Sequence, residues 1–572
     1  MEQRTTPPSG RTAHAPIARR RFMAYLSGIG LGGTAFPATL WALAQGGKIT
    51  KEMLANAEAV AGLEFTDAER ELMLDGINSN LEAYEKLRAV SIPNEVPPAV
   101  RFDPVLPGRP ATVARRERRR TRRSVTRPAN LEAVAFWSIT DMGELLRTRQ
   151  VTSVELTSMY LDRLKRFGPR LECVITLTED LALRQARRAD AELARGLVRG
   201  PLHGIPWGAK DLLAEDEYRT TWGAKPYEEQ TIPYDATVVR RLEEAGAVLI
   251  AKLTLGALAW GDVWFGGKTR NPWKLEQGSS GSSAGPASAT VAGLVGFSIG
   301  SETLGSIVSP ATRCGATGLR PTFGRVSRHG AMALSWTMDK LGPICRSVED
   351  CALVFEAIHG ADGKDPTVRD LPFDWDARLP ITSLRIGYYK SAFEGEREGP
   401  DFDTPALGVL RNLGVELLPV ELPTDVPVDA LRFILSAEAA AAFDDLTRSN
   451  RDDLMVRQVE QAWPNDFRQS RLIPAVEYIK ANRVRTMLMG SMDAVMDGID
   501  VFITPSYGGT VLLTTNLTGH PAMTVPNGFR DDGTPVSISF IAKLFGEAEL
   551  LAVAKVYQDA TGFHLRRPAA FA

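Results

Sequence analysis

One lysine and two serines stand where they could cleave an acyl bond without a histidine. Lys210 closes the short apolar segment Gly204-Ile205-Pro206-Trp207-Gly208-Ala209. A lysine becomes a base when burial lowers its pKa enough to leave the amine neutral. Residues 278–285 read Gly-Ser-Ser-Gly-Ser-Ser-Ala-Gly, and residues 300–307 read Gly-Ser-Glu-Thr-Leu-Gly-Ser-Ile. The first run is too small and polar to pack a core, but it lets backbone approach a ligand closely. The second puts a serine in a tight glycine loop, where successive N–H groups can hold an oxyanion beside a nucleophile. Lys210, Ser282 and Ser306 thus supply a base, a relay and a nucleophile. Taken singly, each has a plainer reading: an ion-paired lysine, a flexible turn.

The segments around these residues alternate between strand and helix patterns. Val174-Ile175-Thr176-Leu177 is strand-like and precedes an Ala/Arg-rich helical run ending near Gly196. Val238 to Ala245 reads as a helix, and Ala247 to Ala251 as a buried strand. Such alternation predicts an α/β fold, a sheet covered by helices. Cys345 and Cys351 fall in an apolar run before Phe355, read as helical, where they act as small core residues.

Bulk composition excludes several classes. The 572 residues are 44% hydrophobic and carry a net charge of −2, so neither disorder nor a globally basic nucleic-acid binder fits. Four cysteines make no disulfide framework, and the six histidines include no His-Glu-x-x-His helix. No metal or cofactor is expected, and no nucleic acid as a partner.

The first quarter of the chain reads as separate from the catalytic region. Arg19-Arg20-Arg21-Phe22 precedes an uncharged stretch from Ala24 to Ala44 that ends in Ala42-Leu43-Ala44. This has the form of a twin-arginine export signal with cleavage near Ala44. It predicts passage through the twin-arginine export machinery to a periplasmic or extracellular location. Thr66-Asp67-Ala68-Glu69 is a capping box that opens a helix with an apolar stripe at Met73, Ile77, Leu81 and Tyr84. A Pro-rich linker follows, then the basic run Arg115-Arg116-Glu117-Arg118-Arg119-Arg120 with Arg122 and Arg123. With no aromatic residue interleaved, this run reads as a solvated linker rather than an arm for RNA or anionic lipid. The expected division is a signal over 1–44, a helical extension and linker over 45–128, and a catalytic domain over 129–572. Within that domain residues 365–500 would form a variable substrate-pocket region. Trp375, Phe433, Phe443, Trp463 and Phe467 suggest apolar surfaces there.

Gly200-Pro201-Leu202-His203-Gly204-Ile205-Pro206 through Lys210-Asp211, the serine-glycine loop and Gly305-Ser306-Ile307 together resemble the amidase signature family. Three later stretches fit the same family: Gly315 to Val326, Leu341 to Asp350, and Asn516 to Pro526. The resemblance spans residues 130–565. It implies a mixed twisted β-sheet core flanked by α-helices, here with an N-terminal helical extension, and a Lys–cis-Ser–Ser triad. Family spacing places the cis-serine eleven residues after an Asn-Pro pair, here Asn271-Pro272, and twenty-four before the nucleophile. Both intervals arrive at Ser282, with the cis peptide at Gly281–Ser282. The resemblance then implies attack by Ser306, proton relay through Ser282 to neutral Lys210, and an oxyanion hole from the N–H groups of Thr303, Leu304, Gly305 and Ser306. Gly281, Ser283 and Glu302 would support them.

This chain departs from the common family loop Gly-Thr-Asp-Thr-Gly-Gly-Ser-Ile-Arg at Glu302, Leu304 and Val308. Glu in that place and a missing Arg resemble the peptide-amidase-like branch. The expected activity is hydrolysis of a small-molecule or peptide amide; a homodimer is left open. Two other readings stand beside it: a glutamine-dependent aminoacyl-tRNA amidotransferase of the A type, and a non-catalytic binding protein on the amidase fold. A third, weaker pattern is Gly281-Ser282-Ser283-Ala284-Gly285, which matches a Gly-x-Ser-x-Gly elbow. It would make Ser283 a nucleophile with His329, His359, His520 or His564 as base.

Overall fold

In a computed structural model the described residues fall into two compact units, divided between Pro93 and Asn94. The structure describes residues 48–572 apart from positions 91, 92, 95, 97–99, 110, 122 and 396–399. The expected export signal over 1–44 lies outside the described residues. In the smaller unit, helix α1 (Lys51–Ala61) is followed by α2 (Asp67–Arg88). The capping box forms as read: Thr66 N–H donates to Glu69 Oε2 at 2.7 Å, and Glu69 N–H donates to Thr66 Oγ1 at 3.3 Å. An Arg70–Glu58 ion pair of 2.9 Å joins the two helices.

The larger unit is organised by an eleven-stranded mixed sheet. Its strands are β1 (Val174–Leu177), β2 (Pro206–Lys210), β3 (Val248–Leu253), β4 (Phe297–Glu302), β5 (Thr317–Arg320), β6 (Lys340–Cys345), β7 (Ile386–Tyr389), β8 (Leu417–Val420), β9 (Val501–Pro505), β10 (Ala522–Phe529) and β11 (Pro535–Ala542). Their order across the sheet is β1-β3-β2-β4-β6-β5-β10-β11-β9-β7-β8. The central strands β2, β3, β4 and β6 are buried along their whole length, because helices cover both faces. The helices of this unit include α3 (Ser153–Leu171), α4 (Glu179–Ala194), α5 (Ala284–Val291), α6 (Val308–Cys314), α7 (Phe433–Ala442), α8 (Trp463–Ser470), α9 (Ala475–Asp497), α10 (Val511–Thr518) and α11 (Glu547–Thr561).

Strand direction positions the chemistry. β2 and β4 are parallel neighbours, with Trp207 opposite Phe297 and Ala209 opposite Ile299. Their carboxyl ends, where α/β sheets place ligands, are Lys210 and the 301–307 loop. β6 runs antiparallel to β4 on its other side and sets Lys340 opposite Glu302. All four cysteines are buried and free. Cys345, expected in a helix, instead closes β6; the helical run begins only after Ser347, whose Oγ caps Asp350 N–H at 3.1 Å.

The larger unit begins at Asn94, and the Arg-rich segment is tied to its body. Arg115 and Arg118 pair with Asp374 at 3.0 Å each, Arg120 with Glu356 at 2.8 Å, and Arg116 with Glu549 at 2.5 Å. Backbone bonds add to this: Arg119 N–H donates to Trp375 O at 3.2 Å, and Ala377 N–H to Arg119 O at 2.9 Å. The expected solvated linker is thus a surface strap whose charges are met by acids far away in sequence. Each exposed pair is worth under about 1 kcal/mol, so the strap holds by their sum. Asp374→Ala removes the partner of two arginines and is expected to cost about 1 kcal/mol while speeding tryptic cleavage between Arg115 and Arg120. An unchanged cleavage rate would show that the strap does not depend on these pairs.

Candidate active site

Lys210 emerges from β2 into a cluster of hydroxyls. Its Nζ lies 2.8 Å from Ser282 Oγ, 3.0 Å from Ser283 Oγ and 2.9 Å from Ser301 Oγ, with the Ser301 carbonyl at 3.4 Å. Lys252, equally buried on β3, is paired with Asp211 at 2.9 Å; Lys210 has hydroxyl neighbours instead. Burial pushes the Lys210 pKa well below the usual 10.5, while the charges of Asp339 and then Glu302 act in the opposite sense. A neutral amine can accept a hydroxyl proton, which an ordinary surface lysine cannot do near neutrality.

The serine-glycine loop lies between β2 and β4. The Gly281–Ser282 peptide is cis. Gly281 has no space for a side chain, since a Cβ there would come 1.8 Å from the Gly261 carbonyl oxygen. Ser283 ties the two loops together. Its N–H donates to Ser306 O at 3.1 Å, its Oγ donates to Ser301 O at 3.1 Å, and Ser301 N–H donates to that Oγ at 3.2 Å. The hydroxyl of Ser283 is therefore engaged by Lys210 and Ser301, not by a histidine, which removes the basis of the elbow reading.

The second loop brings the remaining predicted residues beside the first. Ser306 is 8% exposed and joins the cluster through its carbonyl. Gly305 has φ +84°, a left-handed conformation that favours glycine. Among the described residues, the N–H groups of Leu304, Gly305 and Ser306 donate to no protein acceptor, as donors reserved for an oxyanion would. Thr303 Oγ1 donates to Asp339 Oδ1 at 2.5 Å. Leu304 is half-buried and packs against the apolar cluster of Met338, Leu431 and Leu517.

Glu302 pins this loop from beneath. Its Oε2 accepts the N–H groups of Ile307 at 2.8 Å and Val308 at 3.0 Å, and its Oε1 accepts from Arg320 at 2.7 Å and Asn516 at 2.8 Å. Burial alone would raise its pKa. The Arg320 charge, the Val308 N–H and the Arg320 hydrogen bond outweigh that and hold it at about 2. Arg320 is itself fixed by Thr515 Oγ1 at 2.8 Å and His520 O at 2.9 Å. With valine at 308 contributing no charge, Arg320 supplies the cation that supports the loop.

Sequence reasoning missed Ser301, Asp339, Arg320 and Asn516. Ser301 adjoins Glu302 in the glycine loop, and Asp339 directly precedes Lys340-Leu341-Gly342-Pro343, so both adjoin legible motifs. Asp339 Oδ2 accepts from Leu334 and Ser335 N–H at 2.8 and 2.9 Å, and burial raises its pKa. One pH dependence follows from the lysine. Labelling of the site by a fluorophosphonate is expected to rise with pH as Lys210 loses its proton, with the midpoint well below 10.5. A rate that rises only on approach to 10.5 would mean an ordinary, charged lysine.

A family model described as Amidase matches residues 155–515. The A-type subunit of glutamyl-tRNA(Gln) amidotransferase from Heliobacterium modesticaldum is 35% identical over 476 residues, 75% of this chain and 97% of that one. Its counterpart from Moorella thermoacetica is 34% identical over 474 residues, again 75% and 97%. Among solved structures, native peptide amidase from Stenotrophomonas maltophilia superposes with a TM-score of 0.68 at 31% identity, covering 77% of this chain and 99% of its own. Peptide amidase PAM in complex with the competitive inhibitor chymostatin gives 0.69 at 32% identity, covering 76% and 99%.

Proposed function

The chain belongs to the amidase family, a family of amide-cleaving enzymes, and from that premise we propose that it hydrolyses a carboxylic amide through an acyl-Ser306 intermediate. Ser306 Oγ attacks the carbonyl carbon as Ser282 takes its proton and passes its own to Lys210. The tetrahedral oxyanion sits against the N–H groups of residues 303–306, where each such donor is worth about 3 kcal/mol. Collapse of this intermediate breaks the C–N bond, and the proton returns through Ser282 to the leaving amine. Water then cleaves the Ser306 ester by the same route in reverse. The observation that carries this reading is a buried lysine, 2.8 Å from Ser282 Oγ, with its pKa pushed well down by burial.

Two substrate classes have support. The curated relatives described above, at 34–35% identity, are named as glutamyl-tRNA(Gln) amidotransferase subunits of the A type. That favours release of ammonia from glutamine. Peptide amidase is what the solved relatives at 31–32% identity are named, and Glu302 with Val308 resembles that branch. We favour a free-standing amidase acting on small-molecule or C-terminal peptide amides, exported as the Arg19-Arg20-Arg21 segment suggests. The purified chain alone is expected to release ammonia from peptide amides faster than from glutamine. Ammonia release from glutamine only, and only with copurifying protein partners, would assign it to the amidotransferase class. No turnover of any amide, with Ser306 inert to a fluorophosphonate, would leave a binding protein on the amidase fold.

A further inference from the structure

The aromatic residues of region 365–500 include one that reaches the turn on which the serine loop rests. Trp463, 4% exposed at the start of α8, donates its indole N–H to the carbonyl of Leu258 at 2.8 Å. That carbonyl belongs to an unusual turn. Leu258 (φ 51°, ψ 40°) and Ala259 (φ 63°) are both left-handed without being glycine, a conformation that costs roughly 1–2 kcal/mol per residue. A turn of this kind persists only when its surroundings fix it.

The surroundings form a closed ring. Leu258 N–H donates to Trp222 O at 3.0 Å. Trp463 meets Trp260 edge-on at 4.5 Å and stacks on Phe467 at 4.9 Å; Phe467 stacks on Phe443 at 5.6 Å, and Phe443 returns to Trp222 at 6.0 Å. Both polar groups of Leu258 are thereby held, one by the core around Trp222 and the other by α8.

The turn leads directly to the serine loop. The Gly261 carbonyl packs against Gly281 so closely that a Cβ would come within 1.8 Å. Asp262 Oδ2 accepts the N–H of Ser280 at 3.0 Å, and Asp262 O accepts from Thr269, whose own carbonyl accepts from Ser279. Residues 279–281, immediately before Ser282, thus rest on 261 and 262.

We infer that Trp463 is a positioning residue for the relay serine: through Leu258 it fixes the 258–262 turn against which Gly281–Ser282 is seated. Region 365–500 is in this way mechanically joined to the triad. The inference rests on the acyl-Ser306 reading above. The plainer alternative is that Trp463 only anchors α8 to the body.

Trp463→Phe deletes the N–H and keeps the ring stack, so it separates these roles. The probe is a fluorophosphonate, whose P–F bond breaks as Ser306 Oγ bonds to phosphorus and the serine proton leaves through Ser282. The inactivation rate constant is expected to fall about tenfold with the apparent probe affinity unchanged. Phe467→Leu, which loosens the stack and leaves the N–H, is expected to lower Tm more than Trp463→Phe does and to slow inactivation less. An inactivation rate within twofold of wild type for Trp463→Phe overturns the inference. If that variant does not fold, Asp262→Asn decides by the same criterion, since it weakens the turn from its other end. Failure of the wild-type chain to be labelled at Ser306 overturns the acyl-serine reading itself, a result distinct from equal labelling of wild type and variants.

Discussion

Lys210→Met is expected to lower kcat/KM by about 10⁴-fold, the scale on which removal of one triad member acts, and to leave the fold as stable as before or more so. The two halves of this result have one cause. Lys210 is fully buried among neutral hydroxyl partners and its pKa is driven well down by desolvation, so its charged form is expensive. Methionine fills a similar volume without that cost. A residue kept for packing would show the opposite: lost Tm and modestly changed turnover. The pH profile separates the cases further. Wild-type activity climbs as the amine deprotonates, whereas the residual activity of Lys210→Met lacks that limb.

Glu302→Gln is expected to cost about 3 kcal/mol of stability, because it leaves the Arg320 guanidinium buried beside an uncharged amide. The pair is 2.7 Å apart with neither side chain exposed. The same variant should slow turnover, since the Glu302 carboxylate holds Ile307 and Val308 N–H and so sets the loop that carries Ser306. Acid unfolding gives an independent readout. The folded Glu302 pKa is lowered to about 2 from 4.5, so its contribution is complete above pH 4.5 and is lost as pH falls from there through 2. The shift corresponds to about 3 kcal/mol. Glu302→Gln is expected to lack that step, seen as a flatter stability curve between pH 4.5 and 2. A wild-type-like acid limb in the variant would mean that other carboxylates set acid stability.

The catalytic strands are legible in the sequence because their chemistry and their periodicity are local. Val174–Leu177 forms with the bounds read from its β-branched residues, and Lys210 ends a strand because a buried apolar run stops there. The serine register follows from the family resemblance, whose intervals from Asn271-Pro272 and to Ser306 both arrive at Ser282. What escapes is set by contacts across long separations. Arg118 meets Asp374 256 residues away, and Arg320 meets Thr515 195 residues away. No local pattern marks such partners, so the basic run reads as a solvated linker and Arg320 goes unmarked within the Gly315–Val326 stretch. Cys345 is misread for a different reason: a short apolar run before a helix cap reads equally as strand or helix. Trp463 and Phe467 read as apolar, and they are core-like and buried. The indole N–H on Leu258 is invisible in one dimension.

The account turns on the acyl-serine, and the most direct measurement is the site of covalent modification. Intact mass and peptide mapping after brief exposure to a fluorophosphonate should show one adduct per chain, on Ser306, and none in Lys210→Met. An adduct on Ser282 or Ser283, or unlabelled protein that still hydrolyses amides, would contradict it.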